Sequence, residues 1–402
     1  MSRSRLFGAL CGQVFLVNLV RVVMAPLVSV FIVTFGVGEG TAGLVATAVW
    51  YGSAAPRIPT GYLLTKVSRL TVVLAAGLVL AVGATAAAIA NSIPLLIVGG
   101  GMAGLASGLY FVTGNTLVSE LFPERVGRML GLHGTASQLA AAAAAPIVTL
   151  AIGSVVDWTP VLTLLGLPAD EPWRLVFVAI ALGGLTITAV TFVLSRGEDL
   201  PEAGAKDRDL VGAARAEWRT ILFGIAVMGV LGFAWQGMFN FYQLFMESRG
   251  VAPGVARNSL TLVFAAGVPA FAISGSLADR LPQPGYLLGV AATFVVLVFV
   301  LTLASSTAAL LAVSVALGYT VHSLFPAVDT YMLGSFPDQN RGSAYAVFSG
   351  LMMLVQAPGS WVMGSLAESG VAYVTAFRVL AGIVGVTVLS LLVLGRFGRL
   401  PD

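Results

Sequence analysis

Long apolar stretches recur along the chain, separated by short segments rich in Gly, Pro, Arg and acidic residues. An α-helix rises about 1.5 Å per residue, so roughly 20 apolar residues cross the hydrocarbon core of a bilayer. The runs predict twelve membrane-spanning helices, at residues 7–34, 42–64, 70–90, 94–121, 128–152, 174–195, 219–246, 256–279, 285–304, 308–335, 342–366 and 372–396. None alternates polar and apolar positions as the strands of a membrane β-barrel would. The expected fold class is therefore an all-α membrane protein. The first run follows Arg3 and Arg5 but is too long for a signal-peptide core and carries no convincing cleavage site, so it is expected to remain as a helix.

Basic residues in short loops stay on the cytoplasmic side of a membrane. With both termini inside, that side collects Arg3, Arg5, Lys66, Arg69, Arg125, Arg128, Arg196, Lys206, Arg208, Arg215, Arg219, Arg280, Arg341, Arg396 and Arg399. Only Arg174, Arg249, Arg257 and Arg378 fall near the other face. The expected location is the cytoplasmic (inner) membrane, with both termini cytoplasmic. The most polar stretch, residues 196–218, divides the chain into an amino-terminal bundle (1–195) and a carboxy-terminal bundle (219–402), joined by a cytoplasmic linker. The loop at 153–173, with Asp157, Trp158, Pro160, Pro168, Asp170 and Glu171, is expected outside.

The two parts repeat one another. Gly36 pairs with Gly250, Gly40 with Gly254, Gly61 with Gly275, Asn115 with Asp329, and Phe122-Pro123 with Phe336-Pro337, each displaced by 214 positions. Duplicated six-helix units leave such matched turns and helix ends, and in transporters the substrate site lies where repeats meet.

Composition narrows the chemistry. The 402 residues are 58% hydrophobic and 10% charged, against about a quarter charged in soluble domains. A net charge of +3 gives no basic surface for nucleic acid. The single cysteine, Cys11, excludes an internal disulfide, and the two histidines, His133 and His322, are too far apart for zinc spacing. No cofactor is implied, and no nucleophile with a base suggests an enzyme.

Two loops carry a family resemblance. Gly61-Tyr62-Leu63-Leu64-Thr65-Lys66-Val67-Ser68-Arg69 follows the second span, and Gly275-Ser276-Leu277-Ala278-Asp279-Arg280 follows the eighth. Both resemble the GxxxDRxGRR loop of the major facilitator superfamily, placed twice where that family places it. The first copy departs from it at Thr65, Lys66 and Ser68. Trp173-Arg174 opening the sixth span, the Phe-Pro helix ends and the central linker fit the same family. The resemblance implies two pseudo-symmetric six-helix bundles and a secondary transporter, with Lys66, Arg69, Glu120, Asp279 and Arg280 as gating charges. Topogenic charge without a gating role is the alternative for these loops. The glycine-proline motif of the superfamily's antiporters is absent at Ala140–Pro146.

Ionisable groups inside a span cost at least a few kcal/mol on insertion scales, so each is a functional candidate. Arg21 lies midway along the first run, with Asn18 on the same face. Arg57 precedes Gly61 by four residues, a spacing similar to the substrate arginine of the nitrate/nitrite porter family. Phe271 at its repeat mate and missing glycine-rich signatures separate the chain from that family, so only the anion idea carries over. Guanidinium groups keep their charge and fork onto carboxylate or phosphate; the alternative is pairing with Asp329 or helix carbonyls. Tyr319, His322, Pro326 and Asp329 share a helix face. Asp329, expected to be desolvated, is the candidate for proton coupling, ahead of His322. Trp235, Gln236, Asn240 and Gln243 are candidates for solute hydrogen bonds or for helix bonding. His133 is expected to be structural, and Gly100, Gly104 and Gly108 to serve close packing.

These readings predict alternating-access transport of a small anionic solute by a monomer, driven by an ion gradient, with protons as candidate coupling ion. Export of amphipathic drugs, and a sensor built on the same scaffold, are the competing functions.

Overall fold

A computed structural model describes residues 2–153, 155–196, 209–278, 281–337 and 339–401. Asp279, Arg280 and residues 197–208 of the expected linker lie outside the described residues. Regular structure among the described residues is entirely helical.

The chain forms two compact units, one of residues 1–37 and 44–207 and one of residues 38–43 and 208–402. In chain order the helices up to residue 196 are α1 (Ser2–Val22), α2 (Met24–Phe35), α3 (Glu39–Ala54), α4 (Arg57–Leu63), α5 (Arg69–Ala88), α6 (Ile93–Leu121), α7 (Val126–Ile152), α8 (Thr159–Leu164) and α9 (Arg174–Ser195). The remainder are α10 (Leu210–Ala216), α11 (Trp218–Gly224), a π-helical turn (Ile225–Gly229), α12 (Val230–Asn240), α13 (Tyr242–Ser248), α14 (Pro253–Ala265), α15 (Gly267–Ala278), α16 (Gln283–Leu303), α17 (Thr307–Ser335), α18 (Arg341–Gln356), α19 (Gly359–Glu368) and α20 (Tyr373–Arg396). Helix α10 occupies part of the segment that polarity alone marks as linker.

Ten of the described helical stretches are long and apolar enough to cross a membrane. The other two expected spans, 42–64 and 256–279, appear as the pairs α3–α4 and α14–α15. Proline explains these interruptions, because it lacks the N–H that bonds the carbonyl four residues back and its ring crowds that carbonyl. Pro59 faces the break after Ala54, Pro269 the one after Ala265, and Pro358 the one after Gln356. Pro26 does the same in the first span, where the continuous helix expected over 7–34 divides at Val23. Arg21 therefore sits at the end of a helix rather than midway along one.

The 214-residue repeat is realised in three dimensions. Helix α6 runs Ile93–Leu121 and α17 runs Thr307–Ser335, so both boundaries are displaced by 214. Gly36 and Gly250 both adopt positive φ, 61° and 83°, a conformation that side chains disfavour. The repeat extends to arginine staples invisible at a fixed offset. Arg174 donates through Nη1 to the carbonyls of Ala88 (2.7 Å) and Ala90 (2.8 Å) at the end of α5. At the matching end of α16, Arg378 Nε donates to Thr302 Oγ1 (2.9 Å) and Arg249 Nη2 to the Ala304 carbonyl (2.7 Å). The Arg174 and Arg249 bonds satisfy carbonyls that a helix C-terminus leaves open, and Arg378 reaches a side-chain hydroxyl at the same end.

Small residues set the helix spacing in the first unit. A Cβ on Gly104 would lie 2.0 Å from the Val49 carbonyl oxygen, and one on Gly108 would lie 2.3 Å from that of Ser53. The small-residue stripe of α6 thus brings α3 to backbone contact, as apolar helices in lipid require when packing rather than water drives association.

Candidate functional site

In the first unit the candidate site assembles on Arg21. Its side chain is buried, 8% exposed. The guanidinium carbon stands 4.0 Å from the ring centroid of Trp50 on α3 and 5.2 Å from that of Phe111 on α6. The α3–α6 glycine contact brings these two rings to one guanidinium. A cation over these rings is attracted by their π faces, and a guanidinium carries its N–H donors in its own plane. Nε makes no hydrogen bond among the described residues. Arg57, at the start of α4, acts on Arg21 electrostatically, so two positive groups share this part of the unit. The ion pairs described in this unit, Arg69–Glu120 and Arg174–Glu171, do not involve Arg21. Asn18 donates from Nδ2 to the Ser137 carbonyl (2.8 Å), tying α1 to α7 one turn from Arg21. His133 is buried, and its Nε2 lies 3.0 Å from the Tyr110 hydroxyl, which donates to the Leu10 carbonyl (2.6 Å). That is a helix-tying network.

The gating candidates divide. Arg69 Nε lies 2.8 Å from Glu120 Oε1, with side chains 12% and 25% exposed. The N–H is not directed along this line, so the contact is an ion pair rather than a hydrogen bond. Lys66 is exposed and sits over the Tyr62 ring at 4.9 Å; a bond with that phenol holds its pKa above the ordinary value. Asp279 and Arg280 fall outside the described residues.

In the second unit, Gln236 and Asn240 lie on α12 with their side chains buried. Asn240 Nδ2 donates to the Gln236 carbonyl (2.9 Å) and to Ser360 Oγ on α19 (2.9 Å); Ser360 Oγ donates back to that carbonyl (3.0 Å). Because the amide nitrogen is fixed by two acceptors, Asn240 presents its oxygen elsewhere, and Oδ1 has no hydrogen-bond partner among the described residues. Gln356 Nε2 donates to the Met228 carbonyl (3.0 Å) in the π-helical turn, a distortion that often marks functional positions.

His322 on α17 is 4% exposed. Its ring centroid lies 5.5 Å from that of Phe264, 6.1 Å from Phe325, 6.3 Å from Trp235 and 6.4 Å from Phe271. Asp329, two turns further on, differs from expectation. It is exposed rather than desolvated, and the Tyr345 hydroxyl donates to its Oδ1 at 2.7 Å.

Sequence reasoning missed Trp50, Phe111, Ser360, Tyr345, Phe264 and Phe325. Trp50 precedes Arg57 by seven residues, two helical turns, which was a usable signal. Phe325 follows His322 by three residues on α17, a local spacing that was also legible; the others reach their partners from separate helices and leave no local pattern.

Comparisons agree with this architecture. The sequence profile of the Major Facilitator Superfamily matches residues 10–299 and 242–401. No curated protein sequence matches the chain. Among solved structures, a bacterial homologue of the human lysosomal transporter Spinster, inward-facing and unoccupied, is 16% identical, with 98% of this chain and 95% of that chain covered and a TM-score of 0.77. The xylose transporter XylE from E. coli, in a partially occluded inward-open state, is 12% identical, with 97% and 98% covered and a TM-score of 0.75. These likenesses establish the fold. With the profile spanning the chain and ten apolar helices to cross a bilayer, the protein is a multi-pass member of the major facilitator superfamily.

Proposed function

We propose that the chain is a secondary active transporter that moves a small anionic solute across the cytoplasmic membrane by alternating access, as a monomer with both termini cytoplasmic. The observation that carries the charge preference is Arg21. A buried guanidinium over the Trp50 ring, with a second guanidinium as its electrostatic neighbour and no ion pair described for it, is costly in a membrane unless an anion arrives. Its in-plane donors suit the fork of a carboxylate or phosphate. Asn18, tied to α7 beside it, positions the helix that carries Arg21.

In the second unit Asn240 and Gln236 supply hydrogen-bonding groups for solute, and Asp329 is the proton-coupling group. Its exposure gives protons access, and Tyr345 steadies the carboxylate without neutralising it. Arg69–Glu120 and Lys66 serve as gating charges, together with Asp279 and Arg280.

Purified protein in liposomes, screened under an imposed pH gradient with small carboxylates, inorganic anions and organic cations, tests this reading. Anion uptake lost on Arg21→Gln, with normal membrane insertion, is the expected result. Anion uptake at the parental rate in that variant overturns it.

A further inference from the structure

The second unit begins with a short surface helix that carries its own polarity pattern. Helix α10 closes at Glu217, and α11 starts at Trp218, the first residue of the apolar stretch Trp218–Asn240 that is long enough to cross a membrane. Val211, Arg215, Trp218 and Leu222 recur at helical spacing along these two helices. All four are exposed, the apolar ones at 61%, 52% and 53%, and Arg219 is exposed beside them. Ala213, Thr220, Ile221 and Phe223 are buried instead, and both helices pack on α18.

The acids of this segment are engaged elsewhere. Asp209 caps α10 by accepting from the Gly212 N–H (2.7 Å), and Glu217 accepts from Asn340 Nδ2 beside the start of α18 (3.3 Å). The Arg219 guanidinium carbon stands 5.5 Å from the Trp218 ring centroid. Neither Arg215 nor Arg219 has an ion pair or a hydrogen bond among the described residues. An aromatic ring at the point where an apolar span begins marks the level of the lipid headgroups. Leu222, one turn further in, therefore lies at the depth of the acyl chains.

We propose that the α10–α11 corner binds an anionic phospholipid, with the phosphate between Arg215 and Arg219 and an acyl chain running past Trp218 along Leu222. Guanidinium groups four residues apart are close enough to share one phosphate, and their planar donors suit its oxygens. A free anion gains nothing from the exposed tryptophan and leucine. A soluble protein reaches Val211 and Arg215 but not a side chain inside the bilayer. Only a lipid with a charged headgroup matches both halves of the stripe. Binding there is independent of which solute the protein carries.

The chain has six tryptophans, so the difference in fluorescence quenching between the parent and Trp218→Phe isolates this corner. The full protein is placed in phosphatidylcholine nanodiscs that contain a small, equal fraction of brominated phosphatidylglycerol or brominated phosphatidylcholine. Trp218 should be quenched in preference by the phosphatidylglycerol. Arg215→Gln and Arg219→Gln, both at exposed positions that leave the packing intact, should each lower that preference about fivefold. Arg5→Gln, at an exposed arginine of the first unit, should leave it unchanged. Equal quenching by the two lipids overturns the proposal. So does an equal loss in Arg5→Gln, which marks a diffuse surface potential and no site. Loss of the preference in excess inorganic phosphate at constant ionic strength marks a site for free anions and also overturns it, as does quenching by neither lipid, which places protein over the surface.

Discussion

The guanidinium of Arg21 keeps its orientation through Trp50, whose ring lies 4.0 Å away. A cation–π contact of this kind is worth about 1 kcal/mol when partly desolvated, which is about fivefold in an equilibrium constant. Trp50→Leu should therefore raise the KM for an anionic solute about fivefold while leaving kcat nearly unchanged, and Trp50→Phe should recover part of the loss. Transport kinetics in liposomes check both. Asp329 makes a separable prediction. With its carboxylate exposed and bonded by Tyr345, Asp329→Asn should abolish stimulation by a pH gradient and leave solute counterflow intact, because exchange needs no net proton movement. Both charged positions were legible in the sequence, since an ionisable residue inside an apolar run stands out whatever surrounds it. Their surroundings were not. Trp50 and Phe111 meet Arg21 from two other helices, and the openness around Asp329 depends on which face of α17 the neighbouring helices leave uncovered.

Among the helices, close approach depends on glycine at particular points. Gly104→Ala would drive a methyl group into the Val49 carbonyl oxygen, 2.0 Å from the new Cβ. Since backbone cannot step aside as a side chain does, α3 and α6 must separate, at a cost of about 1–3 kcal/mol. Thermal unfolding in detergent should show a lowered Tm, and anion KM should rise as Trp50 withdraws from Arg21. Gly131→Ala in α7 is the control. Nothing lies within 4 Å of the new methyl group, and replacing a helical glycine should be neutral or stabilising by up to about 1 kcal/mol. The small-residue repeat at Gly100, Gly104 and Gly108 announced a packing face, and the structure supplied the partner. Helix breaks were less legible. Pro26, Pro59, Pro269 and Pro358 stand at interruptions, yet Pro146 and Pro326 lie inside the unbroken helices α7 and α17. Proline marks a weak point, and the packing on either side decides whether the chain bends there.

For the molecule as a whole, the distribution of Lys and Arg makes an orientation test simple. Cys11 is the one cysteine of the chain, so Cys11→Ser gives a blank background. A cysteine placed at Asp157 should react with a membrane-impermeant maleimide in intact cells, and one placed at Asp209 only after the membrane is opened. The opposite pattern would reverse the topology. Membrane residence, helical class and internal duplication are all written locally. Twenty apolar residues have no soluble alternative, and duplication leaves its offset in turns such as Gly36 and Gly250, whose positive φ is a property of a few adjacent residues. Tertiary structure alone decided the arginine staples on α5 and α16, the aromatic pair at Arg21 and the rings around His322. Each requires side chains far apart in sequence to arrive at one point, and that depends on the spacing and rotation of whole helices, which no local pattern of polarity records.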